Sequence, residues 1–408
     1  MAKIHPADAE AQRCLEIQQK VSAHSKAADK ILLISMSAII LIFGLLIYIL
    51  PHKTFSEDEN RSLATFPEFS FKSLLDGSFT ANIGTFYADQ FPARCAFVQF
   101  KGITELAQLK MQNNAVIPGK DGTLVKRQEY TDYSNVHANM QAIADLRSAL
   151  AEDNISVTVA IAPRSVDVLS HTLHPLYGDS RSSVIWDVLS EYEANATLLR
   201  DKMTQLSKQG AYVWYKTDHH WTTLGAYTAY TMLGNQLGYT PLLQSEFTIT
   251  TASEEFYGTT YSSSGLYSTA PDTMQYYRFE GDENYVVENV LTGEILNGFY
   301  DTKYLDSKDK YSSFTGENKA HVRIYDTAAT TEKPTLIVVK DSFANSVCPF
   351  LAIHFDLEVI DLRSYVGSVA SLARETDAVG VLILTGADNL AISDNMTLLR
   401  YGMAKKAQ

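Results

Sequence analysis

Residues 31–50 read ILLISMSAIILIFGLLIYIL, twenty positions with no charge and only two serines. At 1.5 Å per residue a helix of that length matches the ~30 Å hydrocarbon core of a bilayer. Only a helix satisfies its backbone hydrogen bonds there. Tyr48 stands at one end, where interfacial aromatics collect, and Pro51 stops the helix. A buried core helix keeps a polar face, which this run lacks. A cleavable signal peptide has a short leading region and a small-residue cleavage site. Here 30 residues precede the run, and Pro51, His52, Lys53 and Thr54 follow it. The pattern predicts an uncleaved signal-anchor over 31–50. Lys20, Lys26 and Lys30 lie before it, whereas Lys53 is followed by Glu57, Asp58 and Glu59. The positive-inside rule then puts residues 1–30 in the cytoplasm and the remainder outside, as a single-pass protein of the cell membrane.

Beyond the anchor the pattern changes period. Residues 51–110 form a lead-in, irregular and aromatic to about 80, then helical over 81–111 around the turn-like DQFPAR at 89–94. GKDGTL (119–124) is a tight turn by its glycines. Residues 135–152 place Met140, Ile143, Leu146 and Leu150 on one helical face. SVTVAIAP (156–163) is a β-branched apolar run closed by proline, the mark of a buried parallel strand. Helix is expected over 184–209 and 222–237, with AYVWY (211–215) a strand between them. The alternation returns with PTLIVV (334–339), a turn at KDSFAN (340–345), LEVIDLR (357–363), a helix over 369–375 and VGVLILTG (379–386). Between these, residues 240–320 are rich in Tyr, Ser, Thr and Gly and read as extended segments and loops, either bordering a site or forming a surface insertion. The fold class is α/β, a mostly parallel sheet flanked by helices over residues 111–408, preceded by one transmembrane helix.

Composition narrows the function. The chain has 408 residues, 46% of them hydrophobic, ample for a core. Net charge is −13; residues 1–30 carry +1 and 31–50 none, which leaves −14 beyond the anchor. Such a surface repels phosphate backbones and argues against nucleic-acid binding. It is compatible with a neutral glycan, on which some of the 23 tyrosines could stack. Of three cysteines, Cys14 precedes the anchor, so only Cys95 and Cys348 share a compartment, and spacing does not say whether they pair. So few cysteines fit a bacterial surface protein better than a disulfide-stapled scaffold.

Two segments carry candidate chemistry, each placed at the end of an expected strand, where open α/β sheets hold their sites. Asp341-Ser342 follows LIVV. A serine at a strand-to-helix turn is lifted above the sheet, and the unsatisfied N–H groups of the helix's first turn face the same space as oxyanion donors. The bland alternative is a helix cap. Asp218-His219-His220-Trp221 follows VWY. In extended backbone Asp218 and His220 point to one side, so the carboxylate can orient an imidazole that activates a serine, while His219 points away and Trp221 packs beneath. Adjacent histidines splay, and no HExxH or CxxC adds ligands, so no metal or cofactor is expected. Satisfied loop histidines and a capping Asp218 are the alternatives. Arg164, just past the 156–163 strand, lines the same rim or sits on the surface.

Thr217-Asp218-His219-His220-Trp221 resembles the signature of the DHHW proteins, which are similar to the alginate O-acetyltransferase-type (AlgX/AlgJ-like) branch of the SGNH hydrolases. That branch carries Asp-x-His before Asp-Ser, a permuted order that this chain shares. The resemblance covers most of residues 55–390, with further landmarks at 58–69, 89–94, 119–124, 160–165, 301–318, 341–351 and 359–363. It implies a membrane-anchored, extracytoplasmic O-acyltransferase, O-acetyl by analogy, acting on a cell-wall or exported polysaccharide. Ser342 would be nucleophile, His220 general base and acid, and Asp218 its orienter. Arg164, Trp221 and Asn345 are candidates for substrate contact, and a multi-spanning membrane protein would supply acyl groups. Two alternatives remain: a carbohydrate esterase using the same triad, and a non-catalytic glycan-binding or assembly protein on a hydrolase scaffold. Lys340 departs from the glycine that many SGNH enzymes place before Asp-Ser, which bears on the oxyanion site; the family's separate glycine and asparagine blocks are not located, and Asn345 and Asn389 are candidates for the asparagine, with capping or turn roles the alternative.

Overall fold

The computed structural model describes residues 6–177, 184–192 and 196–403, with residues 6–25 as backbone only. It divides into two units. The first comprises residues up to 56 together with 61–98; the second comprises 57–60 and 99 onward.

The first unit is built on a long helix, α1 (Pro6–Ile49). Its stretch Lys26–Ile49 has a mean hydropathy of 2.7 over its most apolar window, with its side chains almost wholly exposed, and is long and apolar enough to cross a membrane. Near the end of α1, Phe43 stacks on Phe91 at 4.8 Å and Tyr48 meets Tyr87 edge-on. The DQFPAR turn links two helices, Ser78–Asp89 and Arg94–Ala107. In it, Asp89 is held by both terminal nitrogens of Arg61 and by the Ala64 N–H.

The second unit is an α/β domain on one eight-stranded sheet. Helix α2 (Ser134–Ala151) buries Met140, Ile143, Leu146 and Leu150, the stripe its period predicts. The strands are β1 (Ser156–Ala162), β2 (Thr197–Leu198), β3 (Tyr285–Asn289), β4 (Ile295–Asn297), β5 (His321–Asp326), β6 (Thr335–Lys340), β7 (Asp356–Ile360) and β8 (Gly380–Gly386), with helix α3 (Thr223–Leu237) before β3 and α4 (Val369–Glu375) before β8. Their order is β4-β3-β5-β7-β6-β8-β1-β2. The pairs β7–β6, β6–β8, β8–β1 and β1–β2 are parallel; β5, β3 and β4 extend the sheet antiparallel. Both faces of the parallel part are buried, as such strands require. Leu336, Val338, Leu382 and Leu384 face one core with α3; Ile337, Val339, Val381 and Ile383 face the other with α2 and α4.

Two local expectations are corrected, and the open reading of residues 240–320 is given a form. The single helix over 184–209 is two, Val184–Ser190 and Arg200–Lys208, with β2 between them; residues 193–195 lie outside the described set. Pairing of Thr197 and Leu198 with the open edge of β1 outweighs helix continuation. Residues 211–215 form no strand of the sheet. Trp214 instead bridges back to Trp221, and Val213 O accepts from Thr222 N–H, so the segment is one arm of a tight loop. Its consecutive residues Val213, Trp214 and Tyr215 are all buried, which produces a strand-like apolar run without a sheet partner. Residues 240–320 hold a hairpin (Thr248–Phe256 with Asp272–Arg278) and supply β3 and β4 to the sheet. Neither Cys95 nor Cys348 takes part in a disulfide, and Cys348 is buried.

Candidate active site

Ser342 stands where β6 ends. Asp341 accepts from the Phe343 N–H through Oδ1 and from Gly386 N–H (2.6 Å), Asn389 Nδ2 (2.5 Å) and Thr385 Oγ1 (3.0 Å) through Oδ2. Asp341 is thus a cap and an anchor between the ends of β6 and β8. Its neighbour Ser342 is left partly exposed. Of the first-turn N–H groups expected to face an oxyanion, those of Phe343 and Ala344 are taken by Asp341. The Ser342 N–H has no partner among the described residues.

The DHHW loop reaches this serine from α3's side of the sheet. Thr222 caps α3, its side chain accepting from Gly225 N–H. The loop's base is held by Asp272, which accepts from the Tyr212 hydroxyl, Lys216 N–H (2.9 Å), Thr217 N–H (2.8 Å) and Thr217 Oγ1. Trp221, 0% exposed, lies edge-on to Trp214 and to Phe343, the residue after Ser342, and donates to Ser346 Oγ at 3.0 Å. It packs beneath the loop, as expected, and is too deep for the substrate contact also considered for it.

From this footing His220 Nε2 lies 2.7 Å from Ser342 Oγ, and His220 Nδ1 lies 2.5 Å from Asp218 Oδ1. An ionised carboxylate only accepts, so Nδ1 carries the proton and Nε2 receives the serine hydroxyl's. Asp218 accepts further from His220 N–H (2.9 Å), Thr259 N–H (2.7 Å) and Thr259 Oγ1 (3.0 Å). Burial works to raise its pKa, but the two imidazoles and these donors prevail and hold the carboxyl well below the usual range.

His219 is the second correction here. It does not point away: its ring centroid is 3.8 Å from that of His220, and Nδ1 meets Thr259 Oγ1 at 2.6 Å. Ligand atoms of Asp218, His219 and His220 fall within 4.8 Å of one another. Both nitrogens of His220 and Nδ1 of His219 already serve hydrogen bonds, so the group is a relay rather than an open donor set for a metal.

Arg164 is neither exposed nor at the serine. It is 5% exposed and forked on Asp167 at 2.9 and 2.8 Å, closing the start of the short helix Ser165–Leu169. Asn345 is buried as well. Its Oδ1 accepts from Lys340 Nζ (2.7 Å) and its Nδ2 donates to Asn318 Oδ1. Lys340 also reaches Asn318 and lies 3.8 Å from Asp361, so the lysine that replaces glycine swings away from the turn and ties it to the 310–320 segment. Burial lowers its pKa, with Asp361 opposing. Asn389 is spent on Asp341. Beside that carboxylate, a cavity of about 180 Å³ opens among Lys340, Asp361, Arg363, Thr385 and Asn389.

Two site residues lie outside the Asp-His-His-Trp and Asp-Ser motifs. Tyr311 lies face to face with His220, and its hydroxyl bonds Ser346 Oγ at 2.9 Å. Thr259 binds Asp218 as above; Gly258 before it passes so near that a Cβ would fall 2.3 Å from Asp218's side chain. The 301–318 landmark contains Tyr311 without assigning it a role, and only the Tyr- and Ser-rich composition of 240–320 hinted at Thr259.

The profile of the DHHW protein family matches residues 127–360, more than half the chain and all three residues of the hydrogen-bonded series. The probable alginate O-acetylase AlgJ of Pseudomonas syringae pv. tomato is 25% identical over 198 residues, 46% of this chain. The chain spans about half the length of that relative, 49%. Among solved structures, Bacillus cereus PatB1, determined alone and with a sulfonyl adduct, superposes with a TM-score of 0.56 at 22% identity, over 69% of this chain and 98% of PatB1. A DHHW family protein from Eubacterium siraeum gives 0.58 at 19%, over 70% and 95%. The fold is the mostly parallel α/β arrangement flanked by helices that the motifs implied, shared with these solved structures, and the chain belongs to the DHHW protein family.

Proposed function

We propose that this protein is a membrane-anchored, extracytoplasmic O-acetyltransferase for a cell-wall or exported polysaccharide, working through an acyl-enzyme on Ser342. The observation that carries the reading is the unbroken series Asp218 Oδ1–His220 Nδ1 and His220 Nε2–Ser342 Oγ, at 2.5 and 2.7 Å. Ser342 Oγ attacks the acetyl carbonyl of a donor ester while its proton passes to His220 Nε2. The Oγ–C bond forms, the donor's C–O bond breaks, and the proton leaves with the donor alkoxide. A sugar hydroxyl then attacks the acyl-serine, giving its proton to His220, which returns it to Ser342 Oγ. Asp218, kept ionised, steadies the imidazolium throughout. The Ser342 N–H serves the developing oxyanion.

The name borne by the curated relative supports acetyl transfer to a polysaccharide, and alginate belongs to that relative. Helix α1 supports the anchor, with residues 1–30 cytoplasmic, 31–50 spanning, a lead-in over 51–110 and the catalytic domain beyond. An acetyl donor outside the cytoplasm needs delivery, so a multi-spanning membrane acyltransferase is the expected partner.

Phenylmethanesulfonyl fluoride on the full-length chain in detergent tests this reading. Sulfonylation of Ser342, seen as a mass shift on its peptide and lost in Ser342→Ala and His220→Ala, supports it. No labelling sinks it in favour of a glycan-binding role. Turnover of 4-nitrophenyl acetate with release of acetate alone, whatever oligosaccharide is supplied, would make the protein an esterase.

A further inference from the structure

His219 is left unused by this scheme, yet it stands at the mouth of the site. Its side chain is 40% exposed, while Asp218 and His220 beside it are at 2% and 6%. Its protonation pattern follows from its neighbours. Thr259 Oγ1 lies 3.0 Å from the Asp218 carboxylate, which can only accept, so the threonine's proton goes there. The oxygen's remaining lone pair faces His219 Nδ1 at 2.6 Å, so Nδ1 carries a hydrogen and donates it. Desolvation in the crowded loop, with His220 alongside, lowers the pKa of His219 below that of a free imidazole, so the ring is neutral at working pH. A neutral ring with hydrogen on Nδ1 has a bare lone pair on Nε2. That nitrogen meets no partner among the described residues.

We infer that His219 Nε2 is an acceptor-binding group: it takes a hydrogen bond from a hydroxyl of the sugar being acylated, adjacent to the hydroxyl that attacks. The inference rests on the acyl-transfer reading and specifies its acceptor side. With the two rings 3.8 Å apart and tilted by 40°, His220 Nε2 draws the proton from one hydroxyl while His219 Nε2 fixes another on the same sugar. Water, with a single oxygen, cannot occupy both positions. The pair therefore favours a polyol over hydrolysis of the acyl-enzyme, and His219 is a specificity-determining residue.

The test uses the full-length protein in nanodiscs, 4-nitrophenyl acetate as donor, and an equimolar mixture of cellotriose, mannotriose and a trisaccharide of alginate as acceptors. Acetylated sugar and free acetate are read together as a transfer-to-hydrolysis ratio. His219→Phe keeps a ring without the lone pair, and His219→Gln restores an acceptor; melting temperatures check that both fold. The expected result is a ratio about tenfold lower in His219→Phe, the size of one lost hydrogen bond, with partial recovery in His219→Gln. The loss should exceed that seen with 1-propanol, which brings one hydroxyl. Equal losses of transfer and hydrolysis in His219→Phe overturn the inference and leave the acyl-enzyme reading intact. Wild-type protein that acetylates none of the sugars overturns the inference; wild-type protein that is also unlabelled by sulfonyl fluoride removes both.

Discussion

Tyr311 lies flat on His220, ring centroids 3.9 Å apart and planes within 6°, and its hydroxyl shares Ser346 Oγ with the indole N–H of Trp221. The imidazole is thus fixed on one face by a phenol and along its edge by Asp218. Truncating the phenol frees the ring to tilt, and misplacement by about 1 Å costs on the order of 100-fold in rate. Tyr311→Ala should lower kcat/KM for 4-nitrophenyl acetate by roughly 10- to 100-fold, and Tyr311→Phe, which keeps the stack, by under about fivefold. Equal effects of the two substitutions would show that the stack does not orient the base.

Gly258 has an ordinary φ of −84°, so its requirement is space rather than backbone freedom. A methyl there falls 2.3 Å from both Cβ and Oδ2 of Asp218. Gly258→Ala should push the carboxylate off His220 and lower turnover by roughly 100-fold or more. A crystal structure of the variant should show the Asp218–His220 bond lengthened.

The depressed pKa of Asp218 has a definite consequence for stability. Its folded value lies below the ordinary 3.8, so the carboxylate contributes stability in full above about pH 4 and loses it as pH falls toward the folded value. Asp218→Asn removes that contribution. Melting temperatures of wild type and variant should differ most above pH 5 and converge below pH 4. At neutral pH the variant should retain its fold and lose about 10³- to 10⁴-fold in turnover, because asparagine permits the wrong imidazole tautomer.

Cys348 opens the short helix Cys348–Leu351 after the Ser342 turn, and burial pushes its thiol up to about 12. In native protein at pH 8 it should resist iodoacetamide, since the thiolate is the reactive form. In guanidinium it should be alkylated. Peptide mass spectrometry before and after denaturation checks this.

The sheet was legible because buried parallel strands leave continuous apolar runs, as in 156–162 and 335–339, and nothing else of that length interrupts them. Ser342 was legible because a polar pair follows such a run directly. The pairing of Asp218 with His220 was legible from their two-residue spacing, whereas the same reasoning misplaced His219, which lies beside His220. What sequence could not give are contacts made across the chain. Tyr311 looks like any of 23 tyrosines until it is found on His220. Arg164 and Asn345 look like rim residues because the run before each ends at the rim, yet both turn inward to Asp167 and Lys340. The strand expected at 211–215 failed because a short apolar run records burial and says nothing of an edge to pair with.

The clip formed by Asp272 joins two parts of the chain. Four donors from residues 212–217 converge on a carboxylate that belongs to the hairpin 248–278, and Thr259, which steadies Asp218, lies inside the same hairpin. Ser342 takes its place from the end of β6, whereas the place of the His220 imidazole depends on a carboxylate and a threonine of the hairpin. A change within the hairpin therefore shifts the imidazole and spares the turn that carries the serine.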